Sequence, residues 1–540
     1  MDDVYKKIMF FDLSIPKSRF AANSRYGNYS NDLEIEFKRF LYLNYKNPGV
    51  QLAPSPMVDE FWHFSILDTK TYQKLCMEIF GKLLHHDVDI PSSNNDIKKI
   101  FDDAYNNTLS LYEKVFEVPN SLYWPKENDL IKKYKTPHRI HLETTKHCNL
   151  RCEHCYPESG PEHAHHELEV ILDMLKKAKE EGAEKVTLTG GEIFTRKDWK
   201  EIISFSIKNF DNVYFISNGL KIKEEMLSWI AKQKVKKTMH NFFIKRKFVT
   251  AHVGLAISLD GLEGNKLVRV NGAGRGVEHH KILDKITLAV NYGLHVTVNT
   301  TITNEKSASE IYPLYLLLKD IGIDRWQLDQ AYLSGRYTNS QISTQHLSWL
   351  ETTKQGYFDV VKDYLKNYPT LPNFRLEIVQ VFRYDILEYG YTTASSLNEH
   401  PCAYQYGTMV IEDGDKARFC PSLRHEGSEI GEYKGSYFEV MSSNKSFEKF
   451  SKLKISDLPC KDCRYALVHH GGCRANSSSY TGKLIERDPI CCSLSPFVEE
   501  KIVPLLPPKL QKQFFDALNG PNLSKEIRMR DNLLDVVVYE

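Results

Sequence analysis

The chain has 540 residues, 41% hydrophobic and 26% charged, with 71 Lys and Arg against 70 Asp and Glu for a formal net charge of +1. That length exceeds what one hydrophobic core serves and predicts roughly two to four domains. The charge balance gives no reason to expect nucleic acid or an anionic membrane as partner. No apolar run reaches the roughly 18 residues of a membrane helix, and the N-terminus MDDVYKKIMFFDLSIPKSRF lacks a signal-peptide cleavage site. A cytoplasmic protein is expected.

Residues 1–135 read as a helical domain of unassigned role. EIEFKRFLYLNY (35–46) carries apolar residues at helical spacing. Residues 54–86 read as one or two helices, with Ser55 as N-cap and Pro56 at the first helical position. Asp59 and His63 share a helix face there, with His85 and His86 beyond. A metal could sit on that set, but a buried hydrogen-bonded network is the expectation.

From residue 136 to 370 short β-like runs alternate with amphipathic helices such as 167–182. The predicted strands are 139–145, 185–190, 212–218, 254–260, 295–302 and 325–330. Six strands alternating with helices imply an α/β fold of parallel βαβ units, a barrel or part of one. Chemistry in such folds sits at the C-terminal strand ends. Residues 371–500 read as loop-rich, and 501–540 as a tail with a helix and a short strand.

The eleven cysteines are unevenly placed. Cys76 stands alone, Cys148, Cys152 and Cys155 follow the first strand as C-x3-C-x2-C, and seven more lie beyond residue 401. Clustered thiols without a secretion signal point to metal. Zinc would recruit His147 or His154 as fourth ligand. A 4Fe–4S cluster on three thiolates would instead leave one iron open to a small molecule.

On these residues the chain resembles the radical S-adenosylmethionine (SAM) enzymes, along residues 139–336 in order. TGGEIF (189–194), ISNG (216–219), ISLDG (257–261) with Arg269, and NTTITN (299–304) are similar to the segments that follow the trio in that family. The resemblance implies a partial (β/α)6 barrel. It implies Cys148, Cys152 and Cys155 as ligands of a 4Fe–4S cluster whose fourth iron chelates SAM. It places Gly190 and Gly191 against SAM's amine, Glu192 as its acceptor, Asn218, Ser258 and Asp260 along the SAM pocket, and Arg269 at the SAM carboxylate. The implied reaction is reductive cleavage of SAM to a 5′-deoxyadenosyl radical that takes hydrogen from substrate, with a flavodoxin- or ferredoxin-type protein as external reductant.

CKDCRYALVHHGGCRANSSSYTGKLIERDPICC (460–492) is similar to the SPASM auxiliary-cluster domain. That resemblance implies one or two auxiliary iron–sulfur clusters and departs from the family pattern where His469 stands in place of a cysteine. One site would use Cys460, Cys463, His469 and Cys491; the other Cys402, Cys420 and Cys473, with Cys492 as a possible fourth ligand. SPASM relatives imply a peptide or protein substrate, modified by crosslinking, oxidation or epimerisation. RNA or a small molecule is the alternative, and a non-catalytic zinc scaffold the reading from another class. Asp329 and Tyr332, at the end of the sixth strand, are candidates to act on substrate protons. The basic strip 232–247 could hold an acidic leader peptide or RNA, or be a solvated loop.

Overall fold

The computed structural model describes residues 2–24, 29–85, 95–116, 118–120, 123–124, 139–233, 238–240, 247–249, 252–339, 347–370, 373–391, 393–394, 396–402, 408–412, 416–418, 420–424, 429–433, 450 and 452–518. It divides into two compact units, residues 1–135 and 136–540. The strand expected within residues 501–540 and most of the basic strip lie outside the described residues.

The first unit is helical. The segment 54–86 forms two helices, Pro56–Leu67 and Thr69–Phe80. Ser55 accepts the Val58 N–H at 3.3 Å, the capping bond that a serine before a first-turn proline supplies. Phe37, Phe40, Phe61 and Trp62 meet in the core. The buried polar network expected at Asp59 and His63 lies elsewhere. That pair is 3.4 Å apart with side chains 32% and 48% exposed, because its helix turns this face outward. The buried network is instead built on Glu36, which accepts from Tyr112 Oη at 2.7 Å, Trp124 Nε1 at 2.6 Å and Arg39 Nη1 at 3.0 Å.

The second unit is built on one twisted sheet. Its strands begin with β1 (Arg139–Glu143), β2 (Lys185–Thr189) and β3 (Asn212–Ser217). A separate antiparallel pair follows, β4 (Thr238–His240) and β5 (Lys247–Val249). The main sheet resumes with β6 (His252–Ser258), β7 (His295–Ile302) and β8 (Arg325–Gln330). Helices such as Leu168–Glu180 and Trp199–Asn209 alternate with these strands, as the hydrophobic spacing predicts. Ile140, Leu142, Val186 and Leu188 face Ile171, Leu175 and Ile202 in the core.

The opposite face is polar. The register aligns His141 with Thr187, Tyr214, Gly254 and His295. A closed barrel packs this side with branched apolar side chains; a polar row leaves an open partial barrel whose inner face can take a ligand.

Two parallel strands come from the region read as loop-rich. β9 (Arg375–Ile378) pairs with β8, and β11 (Thr408–Glu412) pairs with β1 from Arg139↔Thr408 to Leu142↔Ile411. β10 (Phe382–Arg383), β12 (Lys416–Arg418) and β13 (Glu429–Glu432) extend the edges antiparallel. The second cysteine region is therefore joined to the barrel through its sheet.

Candidate active site

The loops after β1 and β2 are bonded to one another. Gly191 N–H donates to Thr145 O at 2.6 Å, and Glu192 N–H to His147 O at 2.9 Å. A Cβ at Gly190 would lie 2.3 Å from Thr145 O, and one at Gly191 2.1 Å from His147 O. Both glycines were expected to admit SAM. The first need they meet is backbone contact with the cysteine loop, at a φ of +120° for Gly190. Both also line a cavity of about 270 Å³ at the C-terminal ends of the strands.

Cys148, Cys152 and Cys155 face that cavity, as do Asn218, Ser258 and Arg269. Burial pushes the Cys148 and Cys152 thiols up to about 12, and raises Cys155. Such thiols ionise when a metal supplies the charge. Three thiolates on one cavity wall can hold a zinc ion with a fourth ligand, or a 4Fe–4S cluster with one iron left open. Each candidate fourth zinc ligand has one ring nitrogen engaged. His147 Nδ1 is bonded to His163 O at 2.8 Å, and His154 Nε2 lies 3.1 Å from Asp260 Oδ2.

Asp260 was expected along the SAM pocket. It is fully buried behind the wall, where Arg269 Nε donates to its Oδ2 at 2.6 Å and Thr301 N–H to its Oδ1 at 2.9 Å. Burial alone would raise its carboxyl, but Arg269 and His154 hold it well below the usual range. Asp260 thus positions Arg269, which lines the cavity. Glu192 was expected to accept from SAM's amine. It is fully buried instead, taking Phe194 N–H at 3.1 Å, Asn218 N–H at 2.7 Å and Ser217 Oγ at 3.0 and 3.1 Å. Through these three donors Glu192 braces the loops after β2 and β3, with one acceptor position left. Burial pushes its carboxyl up to about 7 while the Asn218 and Phe194 bonds pull it down.

Asp329 and Tyr332 also line the cavity. Burial pushes the Asp329 carboxyl up to about 7. Burial, Asp329 and the thiols of Cys473 and Cys420 push the Tyr332 phenol well up, so this wall faces the second cysteine field. Four buried polar atoms on the cavity wall have no partner among the described residues: His154 Nδ1, Ser159 Oγ, Asn299 Oδ1 and Ser334 Oγ. Buried polar atoms are normally satisfied, so these four are available to a bound ligand or water.

The second field forms two groups. Cys420 is the neighbour of Cys402 and of Cys473. Cys492 feels Cys460 and Cys463, not the group it was expected to complete. Cys491 feels Cys492 and Cys460. Asp488 stands between the groups, accepting Cys473 N–H at 2.7 Å and Cys491 N–H at 3.1 Å. His469 Nε2 lies 3.8 Å from Cys463 Sγ, but Gly471 N–H donates to its Nδ1 at 2.9 Å. The Gly471 bond holds the ring so that Nε2 is the nitrogen that faces the Cys463 thiol.

Two arginines escaped pattern reading. Arg424 Nη2 reaches Glu143 Oε1 at 2.8 Å and Glu412 Oε2 at 2.5 Å, with its guanidinium 4.8 Å above the Tyr156 ring. It ties the loop after Cys155 to the strand before Cys420. Arg336 contacts the cysteine loop itself. No short motif announces either one.

Fold and site together are similar to those of the radical SAM enzymes, a class that works with a 4Fe–4S cluster and SAM. The Radical SAM superfamily model matches residues 142–318, from β1 to the helix after β7. A second family model, described only as UCP032817-like, matches residues 23–104. Among curated proteins, the antilisterial bacteriocin subtilosin biosynthesis protein AlbA of Bacillus subtilis is 26% identical over 44% of this chain and 49% of its own length. A GTP 3′,8-cyclase of Staphylococcus epidermidis is 22% identical over 54% of this chain and 80% of its own. The chain thus spans about half of the first relative. Among solved structures, anSMEcpe with bound AdoMet aligns with TM-score 0.51 at 16% identity, over 73% of this chain and 98% of that one. Streptococcus suis SuiB bound to precursor peptide SuiA aligns with TM-score 0.51 at 15% identity, over 80% and 89%. Both likenesses concern the fold. Among the described residues no helix is long and apolar enough to cross a membrane.

Proposed function

We propose that this chain is a peptide-modifying radical SAM enzyme whose Cys148, Cys152 and Cys155 hold the SAM-binding cluster. The observation that carries the reading is the gathering of Cys148, Cys152 and Cys155 on the wall of one cavity at the strand ends, beside Arg269. When bound, cluster and SAM supply a 5′-deoxyadenosyl radical able to take hydrogen from a C–H bond. Arg269, held through Nε by Asp260, offers its remaining nitrogens to the SAM carboxylate. Asn218 and Ser258 face the rest of SAM. Asp329 with Tyr332 takes or returns a substrate proton, and Tyr156 and Pro157 help close the wall to water.

Cys402, Cys420 and Cys473, and separately Cys460, Cys463, Cys491 and Cys492, are proposed to hold auxiliary iron–sulfur clusters in a SPASM-like domain over 371–500. A flavodoxin- or ferredoxin-type reductant and a cytoplasmic setting complete the reading. The peptide substrate is supported by the relative named for bacteriocin biosynthesis and by the fold neighbour bound to a precursor peptide. The GTP 3′,8-cyclase relative favours the competing reading of a small-molecule substrate.

The test is anaerobic. The reconstituted chain is given SAM and dithionite, and 5′-deoxyadenosine is read by mass spectrometry against the Cys148→Ala/Cys152→Ala/Cys155→Ala variant. Formation by the wild type alone is expected; its absence in iron-loaded protein, with or without added peptide or GTP, would sink the reading. Consumption of GTP would replace the peptide with a nucleotide.

A further inference from the structure

We infer that Arg336 is a positioning residue for the iron–sulfur site, latching the C-x3-C-x2-C loop to the end of β8 and setting the potential of the cluster that the loop holds. The inference rests on the trio being the cluster site. Arg336 lies in the turn Gly335–Asn339, which follows β8. Its Nη1 donates to Cys152 O at 2.7 Å and its Nη2 to Ser159 O at 2.9 Å. Its backbone N–H donates to Cys155 O at 3.2 Å. One residue thus bonds the loop at its second cysteine, at its third, and where it turns away beyond Ser159.

Gly335 makes the approach possible. Its φ is +58°, and a Cβ there would lie 2.5 Å from Tyr156 O and 2.8 Å from Cys155 O. Only glycine brings the turn this close to the loop. The planar guanidinium suits the task, since two of its nitrogens reach two carbonyls at once, which a lysine ammonium cannot reproduce. The neighbouring Ser334 Oγ lines the same cavity.

The charge has its own consequence. The guanidinium is held at the Cys152 and Ser159 carbonyls, on the loop that carries the thiols. An electron added to a thiolate-held cluster raises the negative charge at the same place. A cation fixed on the ligand loop, at Cys152 and Ser159, stabilises that reduced form more than the oxidised one, so it raises the potential. Arg336 therefore eases one-electron reduction of the cluster that the loop would hold.

The experiment uses the full chain, reconstituted anaerobically, as wild type, Arg336→Gln and Arg336→Lys. Iron content, the EPR signal that SAM perturbs, and its midpoint in a dye-mediated titration are read together. Arg336→Gln is expected to shift the midpoint to more negative values and to weaken the SAM-sensitive signal. Arg336→Lys should keep the midpoint near wild type and lose part of the iron, because charge survives and the fork does not. Arg336→Gln with wild-type iron, midpoint and spectrum overturns the inference. If circular dichroism shows Arg336→Gln unfolded, Arg336→Lys decides: iron loss in a folded chain supports the latch, wild-type iron overturns it. A wild-type chain lacking any SAM-sensitive signal overturns the cysteine-trio reading as well; a wild-type signal with unchanged variants overturns the role of Arg336 alone.

Discussion

Arg269 is held by one bond, from Nε to a carboxylate with no solvent exposure. Replacing that carboxylate strands a buried cation, which costs about 3 kcal/mol or more. Asp260→Asn should lower the urea-unfolding free energy by about that amount and weaken SAM binding; a loss under about 1 kcal/mol would place the pair among minor contacts. Asp329 makes a prediction of opposite sign with pH. Its carboxyl is raised from 3.8 to about 7 in the folded chain. The folded state therefore holds a proton that the unfolded state releases, and stability from this group is lost as pH rises from about 4 to 7. Urea midpoints of wild type and Asp329→Asn at pH 5 to 8 should diverge, the variant losing less as pH rises. Parallel curves would show that Asp329 is ionised throughout.

At the scale of elements, the helix Pro489–Phe497 depends on Asp488. That carboxylate caps Ile490 and Cys491 through Oδ1, and its Oδ2 accepts Cys473 N–H and Gln380 Nε2. Asp488→Ala should cost about 1–2 kcal/mol as a lost cap and also lower the iron content, since it frees Cys473 and Cys491 together. Normal iron in that variant would show that the thiols position themselves. His469→Ala should leave the iron content unchanged, and Cys492→Ser should reduce it; the reverse would restore His469 as a ligand. The six barrel strands were legible because each is a β-rich run between helices of clear period. β9 and β11 were not: RLEI and TMVIE are four and five residues long, and β11 earns its place by pairing with β1 far away in sequence. The trio was legible as spacing, whereas the bonds that bury Glu192 and Asp260 were not. Sequence names a residue type near a site but not which hydrogen bonds have already used it. Arg336 was invisible for the same reason, since its partners are backbone carbonyls, which no side-chain pattern records.

For the whole molecule, the two cysteine fields should load as separable stores of iron. The triple alanine variant at 148, 152 and 155 should lose about four irons per chain, one cubane, and keep the remainder; iron lost from every site at once would mean that the clusters assemble only together. Both fields hang from the same piece of sheet. β1 leads into Cys148, β11 precedes Cys420, and the two strands run side by side over four paired positions. The sheet is therefore a ruler. A one-residue slip would move every side chain of the strand to the other face, so the separation of the two thiol groups cannot drift by small steps. An added residue between Glu143 and Cys148, or between Glu412 and Cys420, is what would change it. Electron tunnelling falls steeply with distance, and here its path length is written in strand register rather than in the sequence around either set of cysteines.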